Sequence, residues 1–233
     1  HTMVFADKNV VVTGGTGALG TAVVGRLLVM GARVHIPAFS AEEVERFAHK
    51  DHDNVFLATG MDLTDEAMVE RFYQGVGEVW ASIQIAGGFD MAPVLDTTAA
   101  AFDQQMNMNA KTCFLCGREA ARHMSDQGGR IVNTAARPGV EPREGAGMVA
   151  YAASKAAVAA LTQAMGEELA PKGIWVNAVA PSILDTPANR AAMPDADHDA
   201  WPAVDEVAAT IVHLASPENG AARGAVVPVY GRV

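Results

Sequence analysis

Along this chain, short apolar runs alternate with stretches whose apolar positions recur every three or four residues. The first run, Asn9-Val10-Val11-Val12, has no polar alternation and predicts a strand covered on both faces. Ala18, Val23, Val24, Leu27 and Leu28 follow at helical spacing. Extended along the chain, the pattern predicts strands near 9–13, 33–37, 54–58, 79–86, 129–134, 174–180 and 225–229. It predicts helices near 18–30, 41–49, 65–74, 99–125, 150–170 and 204–215. Such alternation implies an α/β fold with one doubly wound parallel sheet of about seven strands and helices on both faces, joined by right-handed crossovers. No repeat or low-complexity linker interrupts it, so residues 3–233 are expected to form a single domain. His1-Thr2, ahead of Met3, has the look of a cloning remnant. The most irregular stretch, 185–202, carries Pro187, Pro194 and Pro202 and is the candidate substrate lid.

The join between the first strand and the first helix is the most informative segment. It reads Thr13-Gly14-Gly15-Thr16-Gly17-Ala18-Leu19-Gly20. Gly15, Gly17 and Gly20 spell G-x-G-x-x-G in a strand–turn–helix context. There the glycines let backbone approach a pyrophosphate, and the helix N-terminus favours its negative charge. A dinucleotide site is the expectation.

Composition narrows the partners. Half of the 233 residues are hydrophobic, enough for a sizeable core, yet no apolar stretch is long enough to span a bilayer. No secretory signal pattern is present, and a cytoplasmic location is expected. A formal charge of −10 argues against nucleic acid and anionic membranes as partners, and leaves a small-molecule substrate. Cys113 and Cys116 form C-x-x-C, but they sit inside a helical pattern and read as small buried residues of a reduced protein. The mixed segment His49-Lys50-Asp51-His52-Asp53 meets no ligand spacing, and no metal is expected.

Tyr151-Ala152-Ala153-Ser154-Lys155 adds candidate chemistry. Tyrosine and lysine four apart share a helix face, and a nearby ammonium lowers the pKa of a phenol, normally about 10, so that it can exchange a proton near neutral pH. With the glycine turn ahead of it, this pair resembles the short-chain dehydrogenase/reductase family over nearly the whole chain. Further matches follow in the family's order: Asp62-Leu63-Thr64-Asp65, Ala86-Gly87, Met108-Asn109-Ala110-Lys111, and Asn177-Ala178-Val179-Ala180-Pro181 followed by Thr186. The resemblance implies a Rossmann-type domain binding NAD(P) and transferring hydride, with Tyr151, Lys155 and Asn109 catalytic. Tyr151 would protonate the substrate, Lys155 would hold the nicotinamide ribose and depress the Tyr151 pKa, and Asn109 would position a relay water. The resemblance assigns the dinucleotide to Gly14, Gly15, Thr16, Gly17, Ala18, Leu19 and Gly20, then Ala38 and Ser40, Asp62 and Leu63, Ala86 and Gly87, Tyr151 and Lys155, and Pro181, Ile183 and Thr186. It also implies a homo-oligomer, tetramer or dimer, formed through the Ala-rich helix from Ala152 and the helix holding Asn109.

Departures from the family pattern shape the functional reading. Where the family carries a catalytic serine after the fifth strand, this chain has Ala136, beside Ala135. Losing one such donor costs a few kcal/mol of transition-state stabilisation. Thr134, two residues earlier, is the alternative hydroxyl, whereas Ser154 reads as packing. Dihydropteridine reductases, a branch of the family, also lack that serine, and Gly145-Ala146-Gly147-Met148-Val149 is loosely similar to them. Two enzyme readings follow: a carbonyl reductase with a weakened oxyanion contact, or a reductase of a conjugated, pterin- or quinone-like substrate. The second strand ends Ile36-Pro37-Ala38-Phe39-Ser40, with no acid at Ala38 to bind ribose and no arginine after it, which tilts the cofactor slightly to NADP. Gln84-Ile85 stands in place of paired asparagines, Ala18 in place of a frequent glycine, and Val229-Tyr230-Gly231-Arg232 in place of an acidic-glycine ending. The segment from Thr186 to Glu206 is short for the family; Trp201, Met193 and Met148 are candidates either to line the site or only to cover its rim, and His198, between Asp197 and Asp199, reads as a solvated loop histidine. The rival reading from another class is a dinucleotide-binding sensor or assembly subunit with weakened catalysis.

Overall fold

The computed structural model describes residues 3–233; His1 and Thr2 lie outside the described residues. In chain order the elements are β1 (Asn9–Thr13), α1 (Ala18–Val29), β2 (Arg33–Pro37), α2 (Ala41–Arg46), β3 (Val55–Ala58), α3 (Glu66–Val76) and β4 (Ala81–Gln84). Then come α4 (Ala99–Gln105), a π-helical segment (Met106–Lys111), α5 (Thr112–His123), β5 (Gly129–Thr134), α6 (Arg137–Val140) and α7 (Val149–Glu168). The chain closes with β6 (Ile174–Pro181), α8 (Pro187–Ala192), α9 (Val204–Ala215) and β7 (Val226–Val229).

The strands form one parallel seven-stranded sheet in the order β3-β2-β1-β4-β5-β6-β7. The unbroken apolar runs follow from burial on both faces. On β1, Val10 and Val12 join a cluster containing Leu19, Val23, Val24 and Leu27 of α1 with Val207, Ile211 and Val212 of α9. Val11 faces the other way, among Val69 and Tyr73 of α3 and Leu115, Cys116 and Ala120 of α5. Each fully buried side chain of this size contributes about 1.5–3 kcal/mol, so helices of modest intrinsic stability are held by the sheet.

The order reverses between β1 and β4, and crossovers leave in opposite directions from there. That opens a crevice at the C-terminal ends of these two strands. The expected strand 79–86 shortens to four residues, because the chain after Gln84 leaves the ladder to line the crevice. The expected helix 99–125 is interrupted by the π-helical segment, and the helix at 41–49 stops at Arg46. The 185–202 segment is more ordered than its prolines imply. Thr186 caps α8 by accepting from the Asn189 amide at 3.1 Å, Asp185 bridges Ala203, and Arg190 forks onto Asp185 at 2.6 and 2.9 Å. Trp201 is buried, with His198 against its ring at 4.6 Å, so it anchors this segment instead of lining an open rim. No helix among the described residues is long and apolar enough to cross a membrane.

Candidate active site

A cleft of about 720 Å³ lies at the order reversal. Gly14, Thr16, Gly17, Ala18, Leu19 and Gly20 line one wall, Met61, Asp62, Leu63 and Thr64 another, and Ile85, Ala86 and Gly87 the floor. The glycine turn is shaped by close backbone approach. A Cβ on Gly20 would lie 2.0 Å from the Gly14 carbonyl oxygen, and one on Gly14 would lie 2.7 Å from the Ala86 amide. At Gly17 the nearest atom, the Gly14 carbonyl oxygen, would be 3.5 Å away, an ordinary contact, so that position has room for a Cβ. Helix α1 starts there with no side-chain cap and no acid in its first turn. Its first amides therefore point into the cleft without a protein acceptor, which suits a pyrophosphate. The glycine turn and the lining strand ends fit a bound dinucleotide.

Other expected contacts fall differently. Gly15 is buried against Ile36. Ala38 is also buried, its amide donating to Ala58 and its carbonyl accepting from Met61, so Pro37 and Phe39 take its place on the rim. The Ser40 hydroxyl accepts from the Glu43 amide and caps α2. Two groups missed in the sequence, Glu43 and Arg46, also line the cleft. An acid and an arginine thus follow the second strand within α2, beyond Ala38. The signal was present as Ser40-Ala41-Glu42-Glu43, a helix-start pattern that turns its third-position side chain back toward the strand. Asp62 accepts from the amide and hydroxyl of Thr64 at 2.9 and 2.7 Å, which holds its carboxyl below the usual range. Pro181, Ile183 and Thr186 lie at and beyond the C-terminal end of β6, on the same sheet edge, without lining the cleft.

Beyond Gly87 the site is built from side chains. A Cβ on Gly87 would sit 2.4 Å from Asn109 Oδ1 and 3.6 Å from Lys155 Nζ, so the cleft floor, Asn109 and Lys155 meet there. The π-helical segment turns Asn109 inward, where it is buried. Its Nδ2 donates to the Gly88 carbonyl at 2.9 Å and to Ser154 Oγ at 3.0 Å, and its Oδ1 accepts from the Gly88 amide at 2.9 Å. Ser154 in turn donates to the Tyr151 carbonyl at 2.7 Å. The Asn109 side chain is thus engaged in bracing the Gly88 loop against α7, and Ser154 is a polar link where packing was expected. Gly88 marks the start of a loop whose Phe89 ring meets Tyr151 edge-on, centroids 4.9 Å apart.

Lys155 Nζ donates to the Thr134 carbonyl at 2.9 Å and lies 5.9 Å from the Tyr151 ring centroid. Burial pulls the Lys155 ammonium down to about 8 and pushes the Tyr151 phenol up to about 12. The lowering expected from the lysine is therefore outweighed here by desolvation, with the ammonium turned to a carbonyl. Ala135 and Ala136 are both buried and bring no donor. Strand alternation sends Thr134 to the Val132 face, opposite Asn133, whose amide reaches Thr162 on α7 at 3.0 Å. Cys113 and Cys116 are free and buried, and burial raises both thiols far above the range of a reactive thiolate.

Comparison with known proteins places this geometry. Residues 8–197 match the family model described as short chain dehydrogenase. The sorbitol dehydrogenase of Cereibacter sphaeroides is 32% identical over 97% of this chain and 84% of its own. The cis-4-hydroxycyclohexanecarboxylate dehydrogenase of Sinomonas cyclohexanicum is 34% identical, over 97% of this chain and 96% of its own. A solved short-chain dehydrogenase/reductase from Serratia marcescens superposes with a TM-score of 0.86 at 30% identity, covering 97% of this chain and 98% of that one.

Proposed function

The chain belongs to the short-chain dehydrogenase family of NAD(P)-dependent oxidoreductases, and we propose that Tyr151 is its acid/base, acting on a conjugated carbonyl or heterocyclic small molecule. The observation that carries this reading is the meeting of Gly87, Asn109 and Lys155 where the dinucleotide cleft ends, with Tyr151 one helical turn from Lys155. The bound nicotinamide supplies or accepts the hydride. The chain's own residues do the rest. The uncapped amides of α1 and the glycine turn hold the pyrophosphate, with Asp62 and Leu63 beside the adenine. Tyr151 keeps its proton well above neutral pH and donates it to the substrate oxygen or nitrogen. Lys155 keeps a positive charge beside it, and Asn109 fixes the loop through Gly88.

The substrate class follows from what surrounds Tyr151. With alanines at 135 and 136 the hydroxyl of the family serine is absent, and an isolated oxyanion has less support beside Tyr151. A substrate that spreads developing charge over a conjugated system needs less of that support. Phe89, half exposed against Tyr151, gives such a ring an apolar neighbour. The exposed Phe102 and Phe114 of α4 and α5 and Val149 of α7 are in keeping with an oligomer formed through those helices.

The test is Tyr151→Phe, assayed with a panel of ketones, quinones and pterins and titrated with dinucleotide. The expected loss of turnover is at least about 100-fold, with dinucleotide affinity changed little. Retained turnover sinks the assignment. A wild-type protein that binds dinucleotide but turns over nothing on the panel would favour the sensor or assembly subunit.

A further inference from the structure

Glu43 is placed in a way that its helix alone does not require. Ser40 already caps α2, accepting from the Glu43 amide at 3.3 Å. The Glu43 carboxylate turns back and accepts from the Phe39 amide at 3.3 Å and, across the rim, from the Thr16 hydroxyl at 3.4 Å. It therefore bridges the end of β2 and the glycine turn, and it lines the cleft together with Met61, Asp62 and Leu63. No lysine or arginine forms an ion pair with it among the described residues, so its charge is not neutralised at contact range. On the reading of this cleft as a dinucleotide site, pyrophosphate lies at the start of α1 and adenine lies beside Asp62 and Leu63. The adenosine ribose must then pass between them, along Thr16 and Glu43.

We propose that Glu43 makes this protein select NAD over NADP. A carboxylate there accepts hydrogen bonds from free ribose hydroxyls. A 2′-phosphate instead brings a second anion against it in a partly dry cleft, where like charges repel strongly. Arg46 is the competing group. It lines the same cleft one turn further along α2, with its Nε donating to the Glu42 carbonyl at 3.3 Å. Arg46 is exposed, so solvent screens it, whereas Glu43 is half-buried at the junction through which the ribose passes.

The experiment titrates the full chain with NADH and NADPH by tryptophan fluorescence, and with AMP and adenosine 2′,5′-bisphosphate by calorimetry. The second pair needs no nicotinamide and no turnover. The wild type is expected to bind NADH at least about tenfold tighter than NADPH, about 1.4 kcal/mol. Glu43→Gln keeps an oxygen for the Phe39 amide and removes the charge, and it should narrow the gap at least about fivefold by tightening the 2′-phosphorylated ligands. Ser40→Ala is the control for a merely structural role and should weaken both ligands of each pair alike. NADPH binding as tightly as NADH to the wild type, or an unchanged ratio in Glu43→Gln, overturns the proposal alone. Binding of neither dinucleotide by the wild type overturns the dinucleotide reading of the cleft, and this proposal with it.

Discussion

The two halves of the site lie on one sheet edge but are made of different material. The cleft at β1 and β4 is built from backbone: glycines in close contact, free helix amides, strand ends. The region around Tyr151 is built from side chains that hold one another, Asn109 to Gly88 and Ser154, and Lys155 to Thr134. A backbone site fails through shape. A side-chain site fails through a lost bond or a changed charge, and tolerates departures such as Ala136 as long as the remaining bonds are made.

The sharpest way to break this contrast is at the glycine turn. Gly20→Ala would force a Cβ to within 2.0 Å of the Gly14 carbonyl oxygen. Melting and NADH titration should show a loss of about 1–3 kcal/mol in stability from overpacking and a dinucleotide affinity lowered at least about 100-fold with the loss of the turn. Gly17→Ala has room in the fold but points into the cleft, so it should keep its melting temperature and lose affinity. Unchanged binding in both would mean that the turn is only a connector.

Next in size is Asn109→Ala. It leaves the Gly88 amide and carbonyl without their partner, each a cost of about 1–3 kcal/mol if left unpaired and dry, and takes from Ser154 one of its two bonds. Turnover should fall roughly 10- to 100-fold as the loop bearing Phe89 loosens, while NADH affinity changes by less than about threefold. Equal losses in turnover and dinucleotide affinity would erase the division between the halves.

Lys155 offers a test by pH. Its folded pKa is about 8, against 10.5 for an ordinary lysine. Below pH 8 the folded and unfolded chains both carry the proton, and the buried charge costs stability. Between 8 and 10.5 the unfolded chain binds more protons, so wild-type stability rises through that window. Lys155→Met keeps the stem without the charge. Its stability advantage should be greatest below pH 8 and shrink by up to on the order of 3 kcal/mol by pH 10.5. A pH-independent difference in denaturant unfolding would show that Lys155 is not held in a desolvated place. The smallest effect is expected from Ala136→Ser, which restores a hydroxyl at the family's position. It should raise kcat/KM with a simple ketone by roughly threefold to tenfold, and by less with a conjugated substrate. A decrease would mean that the alanine is needed for substrate room.

The glycine turn, the helix that carries Tyr151 and Lys155 one turn apart, and the sheet with its seven strands were all legible in the sequence, because each rests on local spacing. The π-helical turn that aims Asn109 was not legible, since Met106–Lys111 has the composition of ordinary helix and only packing against α7 and Gly88 makes the wider turn worthwhile. Glu43 was legible only in part, because Ser40-Ala41-Glu42-Glu43 marks a helix start that turns the carboxylate back, while only the fold brings Thr16 of the glycine turn to meet it.

What the sequence by itself determined is therefore the fold, the family and the residue types available for chemistry. Hydrophobic period and glycine spacing are set within a few residues of each other. Only the tertiary structure decided which polar groups face one another across the cleft and where Lys155 sends its ammonium. Those outcomes depend on contacts between residues tens of positions apart, and on desolvation, which no single stretch of sequence contains.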